Sequence, residues 1–312
     1  MEKYVQGILA GDKRSTAKII SLVENDGPEK KRVLSQLYPH TGKAYIIGVT
    51  GSPGAGKSSL TDCLTKQIRK QGLTVGIIAV DPSSPFTGGA LLGDRIRMQD
   101  HALDKGVFIR SMGTRGSLGG LARATKEVVR VLDAYGSDVV IVETVGVGQS
   151  ELDIMDVADT TLVVLTPGAG DHVQTIKAGI MEIADIFVVN KADLDGADKV
   201  KTEVEGMLDL SCHGNGWRPP VLLTITRTEQ GITDLIDAIN RHKAHLESTG
   251  SFQQARKERL RTEVLEVVEH VLRARIHKSV EASQDIARLV AKVENREVDP
   301  YVAAEEIISV GI

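Results

Sequence analysis

An α/β fold, with a mainly parallel doubly wound sheet and helical extensions at both ends, is predicted by three observations on this 312-residue chain. Short apolar runs alternate with helix-patterned segments through the middle of the sequence. Those runs are continuous stretches of Val, Ile and Leu, the pattern of parallel strands covered on both faces. The first of them feeds a glycine-rich loop that opens a helix, which is how such sheets present ligand-binding loops at their strand ends.

Residues 1–42 precede the first strand and read as helices. Val5, Ile8 and Leu9 share one face, and Ile19, Ile20 and Val23 follow Asp12, a helix cap. Gly27-Pro28 restarts a helix through Val33, Leu34 and Leu37. Such a prefix either packs on the core or serves an oligomer interface. The core, 43–248, has strands expected at Val75 to Val80, Val107 to Arg110, Val139 to Val142, Leu162 to Leu165, Ile186 to Val189 and Val221 to Ile225. A helix is expected from Leu118 to Tyr135, and Leu235, Ile236 and Ile239 mark the last core helix. The remainder, 249–312, is helical: Leu260, Val264, Val267, Val268, Val271 and Leu272 recur at helical spacing, and Asp299-Pro300 caps the last helix. That apolar face needs a partner, which intramolecular packing or a second subunit would supply equally well.

Composition narrows the class. With 41% hydrophobic and 26% charged residues the chain is an ordinary globular one. A net charge of −4 gives no reason to expect a nucleic-acid partner. Two cysteines, Cys63 and Cys212, make no disulfide framework, and neither a signal-like segment nor an apolar run of membrane length is visible, so a cytoplasmic, membrane-free protein is expected.

The chemistry starts at Ala44 to Leu64, AYIIGVTGSPGAGKSSLTDCL, which contains G-x-x-x-x-G-K-[ST], the phosphate-binding P-loop. Gly51, Gly54 and Gly56 permit the backbone angles that aim N–H groups at phosphate oxygens, with Ser52, Pro53, Ala55 and Ser59 completing the cradle. Lys57 adds a point charge, and the Ser58 hydroxyl at the helix start is placed to coordinate Mg2+. Asn190-Lys191-Ala192-Asp193 follows the strand IFVVN and has the NKxD form of a guanine-reading loop. The Asp193 carboxylate accepts from the ring N–H and exocyclic amine of guanine, whereas adenine presents the wrong pattern. GTP is therefore expected over ATP. On the metal side Asp81 follows VGIIAV, and Glu143 with Gly146 sits where many GTPases carry D-x-x-G. Read from residue types alone, Asp94 is either a metal-side carboxylate or a solvated helix carboxylate paired with Arg95 or Arg97, and Gln149 and Lys177, in loops rich in Gly, Ser, Thr and Pro, are either surface polar residues or nucleotide sensors.

Together GSPGAGKS, VDPSSPFTGGALLGDRIRM, SMGTRGSLGGLA, VETVGVGQSE, PGAGDHVQTIKAGIMEIAD and NKAD resemble the MeaB/ArgK family, the methylmalonyl-CoA mutase-associated GTPases. The likeness runs from about residue 44 to 195, with the helical ends fitting more loosely. It implies a Mg2+-dependent P-loop GTPase, of the broad class of signal-recognition and nickel-insertion GTPases and usually a homodimer. It further implies a chaperone that loads adenosylcobalamin onto an acyl-CoA mutase and protects or reactivates it. Carried over by position, Asp81, Asp94 and Glu143 look like the acidic cluster around the metal. Gln149 falls in the second switch and Lys177 in a third. Thr224-Ile225-Thr226 stands where the family usually has a Ser-Ala pair on the base, a departure in the base-packing loop. Two other functions remain: a kinase acting on a lysine/arginine/ornithine transport protein, an older name for such sequences, and a nickel-delivering GTPase, for which Cys63 and Cys212-His213 are poor ligand candidates.

Overall fold

The computed structural model describes residues 1–81, 101, 103–113, 120–144, 153–168, 181–210, 216–282 and 284–311. Among them seven strands form one sheet: β1 Tyr45–Gly51, β2 Val75–Asp81, β3 Val107–Gly113, β4 Val139–Glu143, β5 Thr160–Leu165, β6 Ile186–Asn190 and β7 Val221–Thr224. Every neighbouring pair is parallel, in the order β3-β2-β4-β1-β5-β6-β7. The chain thus builds first on one side of β1 and then on the other, and the loop after β1 emerges where the direction of winding reverses.

The alternation of side chains divides the core in two. Ile47 and Val49 of β1, Ile141 of β4, Leu162 of β5 and Val188 of β6 face one cluster, which α4 (Lys57–Lys70) closes with Leu60 and Leu64. Val140, Val142, Val163 and Phe187 face the other, closed by Val128, Val131 and Leu132. The N-terminal helices α1 (Glu2–Leu9), α2 (Lys13–Glu24) and α3 (Lys30–Leu37) belong to this second cluster through Val5, Ile8, Ile19, Ile20, Val33 and Leu37. Asp12 caps α2 by accepting from the Ser15 N–H at 2.9 Å and the Ser15 hydroxyl at 2.5 Å, and those bonds hold its carboxyl below the usual range. Buried Lys30 lies 2.6 Å from Asp26 and 3.0 Å from Glu127 on α5 (Gly120–Tyr135), tying the prefix to the core.

Most strands run one or two residues beyond the expected bounds, and two ends have a plain cause. β3 continues beyond Arg110 to Gly113 because β2 offers it a full-length partner, with Asp81 opposite Gly113. β7 stops at Thr224, and Ile225 instead makes an isolated antiparallel bridge to Gln230. The chain goes on through α6 (Ala197–Leu210) before β7, and α7 (Ile232–Thr249), α8 (Ser251–Ala282), α9 (Gln284–Glu294) and α10 (Pro300–Gly311) after it. Residues Met1–Phe252 and Gln253–Ile312 form two compact units. In the second, the Asp299 carboxylate accepts from the backbone N–H groups of Tyr301 (2.8 Å) and Val302 (3.3 Å), capping α10. Val264 and Leu265 of α8 are exposed, and among the described residues no helix is long and apolar enough to cross a membrane.

Candidate nucleotide site

Gly51 ends β1 at φ 135°, and a Cβ there would meet the Val164 carbonyl oxygen at 2.1 Å, so only glycine lets the loop leave between β1 and β5. Gly56 takes the left-handed conformation that starts α4, and its bare Cα allows the Asn190 amide to approach; a Cβ would lie 2.4 Å from Asn190 Nδ2. Between them Ala55 is fully buried, whereas Pro53 and Gly54 are exposed, as is Ser59 in the first turn of α4. The buried Lys57 ammonium donates to the carbonyls of Gly51 at 2.8 Å and Ser52 at 3.1 Å, spanning the loop that its own backbone forms.

Parallel pairing of β1 with β4 sets Glu143 opposite Val49, which brings its carboxylate to the start of α4. The Ser58 hydroxyl donates to Glu143 Oε1 at 2.6 Å, both residues being buried. These are two hard oxygen donors at a strand end and a helix start, a combination that suits Mg2+ with its remaining positions filled by water and phosphate. Among the described residues no cluster of three or more His, Cys, Asp or Glu surrounds them. Asp81 closes β2, the neighbour of β4 in which Ala79 stands opposite Glu143. Asp94, Gly146, Gln149 and Lys177 lie outside the described residues, as do Cys212 and His213.

The base side is assembled from β6 and β7. Asn190 is fully buried at the end of β6; its amide donates to the Ala55 carbonyl at 2.8 Å, and its Oδ1 accepts from the buried Thr224 hydroxyl at 3.2 Å. Lys191 adopts φ 57° and reaches the Gly54 carbonyl at 2.8 Å. The Asn190-Lys191 turn and the glycine loop are thereby clamped to each other by two hydrogen bonds. Asp193 lies 3.5 Å from the exposed Arg227 guanidinium, with Ala192 N–H bonded to the Thr224 carbonyl at 3.0 Å. Thr224, Ile225 and Thr226 form the opposing loop, closed by the Ile225 N–H on the Gln230 carbonyl at 3.0 Å. The Cys63 thiol of α4 donates to the Thr226 carbonyl at 3.4 Å; burial pushes it up to about 11, which keeps it a protonated, packed thiol at neutral pH.

Sequence reasoning did not single out Thr50 and Thr144, whose hydroxyls meet at 2.9 Å beneath the loop and lock the ends of β1 and β4. Nothing at the level of residue spacing signals that pair, because Thr144 comes beside Thr50 only through the strand register. Nor does the sequence announce the contact of Arg227 with Asp193.

The family model described as "Methylmalonyl Co-A mutase-associated GTPase MeaB" matches residues 16–281. A Pyrococcus abyssi protein provisionally named a GTPase is 51% identical over 311 residues, covering 99% of this chain and 96% of its own. The Escherichia coli GTPase ArgK is 37% identical over 267 residues, covering 83% and 80%. Among solved structures, that of a LAO/AO transport system kinase superposes with a TM-score of 0.75 at 28% identity, covering 99% of this chain and 96% of that one.

Proposed function

The chain belongs to the family of methylmalonyl-CoA mutase-associated GTPases, and from that premise we propose that it is a guanine-nucleotide switch that chaperones an adenosylcobalamin-dependent acyl-CoA mutase. It is a GTPase. The observation that carries the reading is the clamp between Asn190-Lys191 and the carbonyls of Ala55 and Gly54, which fixes the base reader at a set distance from the phosphate loop. In this reading Asp193 accepts from guanine, and Gly51 to Ser59 with Lys57 cradle the phosphates. Ser58 and Glu143, with Asp81 and Asp94, hold a Mg2+ ion that neutralises phosphate charge, and Gly146 meets the γ-phosphate. Gln149 and Lys177 lie in the loops that sense the nucleotide.

Gating of cofactor loading, protection of the mutase, a cytoplasmic location and a homodimer joined through the 249–312 helices belong to the same proposal. Support for the partner comes from the family description and from a Mus musculus relative named methylmalonic aciduria type A homolog, mitochondrial, 34% identical over 275 residues, covering 82% of this chain and 66% of its own. Exposed Val264, Leu265 and Val268 on α8 favour a covered face in the assembly. A transport-protein kinase is the second reading, favoured by the name given to the protein whose solved structure superposes along the chain.

The deciding measurement is GTP turnover with and without saturating mutase. Turnover should be slow alone and at least tenfold faster with the mutase, and Lys177→Ala should keep GTP affinity while losing most of that acceleration. No response to any cobalamin-dependent mutase, together with transfer of the γ-phosphate to a periplasmic binding protein, would replace the chaperone by the kinase.

A further inference from the structure

Opposite the nucleotide loops, at the amino ends of the strands, the first unit carries an open cavity of about 690 Å3. That volume lies inside the range of small-molecule sites. Tyr45 begins β1 and Val139 begins β4, so the length of β1, roughly 20 Å, separates the cavity from the phosphate loop. Its inner wall is apolar and buried: Tyr45, Ile47, Ile68, Val139, Ile236 and Ile239. The Tyr45 ring is fixed there, since its hydroxyl bonds Thr160 Oγ1 at 2.5 Å and Phe252 stacks on it at 6.1 Å between centroids.

The polar lining is arranged asymmetrically by charge. The two carboxylates are already engaged as acceptors: Asp133 takes the backbone N–H groups of Gly42, Lys43 and Ala44, and Asp138 takes the Thr74 N–H and hydroxyl, both at 2.7 Å. The two lysines have no such engagement. Lys43 and Lys243 line the cavity without a carboxylate partner among the described residues, and the Lys243 ammonium rests 5.0 Å from the Tyr45 ring centroid. Gln71 and Asn240 add two carboxamides to the rim.

We propose that this cavity is a second ligand site, taking a small amphipathic organic anion whose apolar body lies on Tyr45, Ile236 and Ile239 and whose anionic head is held by Lys43 and Lys243. An anion with an apolar body fits both halves of the lining. A cation would meet two ammonium groups and find the carboxylates of Asp133 and Asp138 already occupied by N–H and hydroxyl donors, and a neutral apolar molecule would leave the ammonium groups unused.

The test uses the full chain saturated with GDP, so that the nucleotide site is filled, and isothermal titration with three probes that share one body: 4-phenylbutyrate, 4-phenylbutanol and 4-phenylbutylamine. The acid should bind one per chain and at least about tenfold more tightly than the alcohol, and the amine should not bind. Lys43→Ala with Lys243→Ala should weaken the acid about tenfold or more, and Asn240→Trp at the mouth should block it. GDP affinity should be unchanged in both variants, which shows that they are folded. Equal binding of acid and alcohol, no saturable binding of the acid, or undiminished binding in the folded double-lysine variant overturns the proposal.

Discussion

At the carboxyl edge of the sheet Lys57, Asn190 and Lys191 donate to carbonyl oxygens of the glycine loop, whereas at the amino edge Asp133 and Asp138 accept from backbone N–H groups and the Thr74 hydroxyl. Hydrogen bonds are made at both edges, but they can be given up at different cost. An ammonium resting on a carbonyl can turn to a phosphate oxygen and gain a stronger, charge-assisted bond. A carboxylate that satisfies three N–H groups where the chain enters β1 has no substitute of its own kind, and losing it strands the buried Ala44 N–H and two part-buried ones. Within the carboxyl edge the Lys57 ammonium is therefore placed to exchange partners, whereas the Asn190 amide and the amino-edge carboxylates are placed to keep theirs.

The sharpest break between the two edges should come from Asp193→Asn. GTP affinity should fall by roughly a thousandfold and xanthosine triphosphate should take its place, because the amide donates to the xanthine carbonyl where the carboxylate accepted from the guanine amine. The midpoint of thermal unfolding of the nucleotide-free protein should hardly move, and a lost base preference accompanied by a large drop in that midpoint would erase the distinction.

The amino edge should show the reverse, and its pH dependence gives the next largest effect. His242 lies with Nδ1 2.8 Å from Thr160 Oγ1 and Nε2 3.3 Å from Asp185 Oδ1. Burial, and then the nearby His245, holds it down at about 4 against an ordinary 6.5, so the contact with Asp185 is made by a neutral imidazole at physiological pH. Well above pH 6.5 neither the folded nor the unfolded state carries this proton, and the stabilisation is complete. As pH falls from 6.5 to about 4 the unfolded chain takes up a proton that the folded one refuses, and stability drops by at most about 3 kcal/mol. Urea unfolding at pH 7.5 and 4.5 should show that loss in the unmutated protein and a smaller one in His242→Gln. Equal pH slopes would remove His242 from the account.

Asp133→Ala should be the smallest of the three. Leaving the N–H groups of Gly42, Lys43 and Ala44 without their acceptor should cost about 2 kcal/mol of unfolding free energy, with GTP turnover per folded molecule unchanged. A fall in turnover at constant stability would mean that the amino edge reports to the nucleotide site.

Much of this molecule was determined by the sequence alone. The parallel sheet was readable because continuous runs such as Val139 to Val142 and Ile186 to Val189 have no other favourable place than the centre of a sheet covered on both faces. The caps at Asp12 and Asp299 were readable because a short carboxylate reaches N–H groups two and three residues ahead, whatever surrounds it. The strand–glycine loop–helix at Gly51 to Lys57 and the turn after β6 that carries NKAD were legible for the same reason, their pattern lying in consecutive residues. Tertiary structure alone decided what depends on register and crossover. That Glu143 receives the Ser58 hydroxyl, that Thr50 meets Thr144, and that Asn190 fills the space left by Gly56 follow from the order of the strands on either side of β1. The cavity of Lys43 and Lys243 joins residues far apart in the chain, whose proximity is set by the packing of α7 against the sheet and by no local preference of either segment.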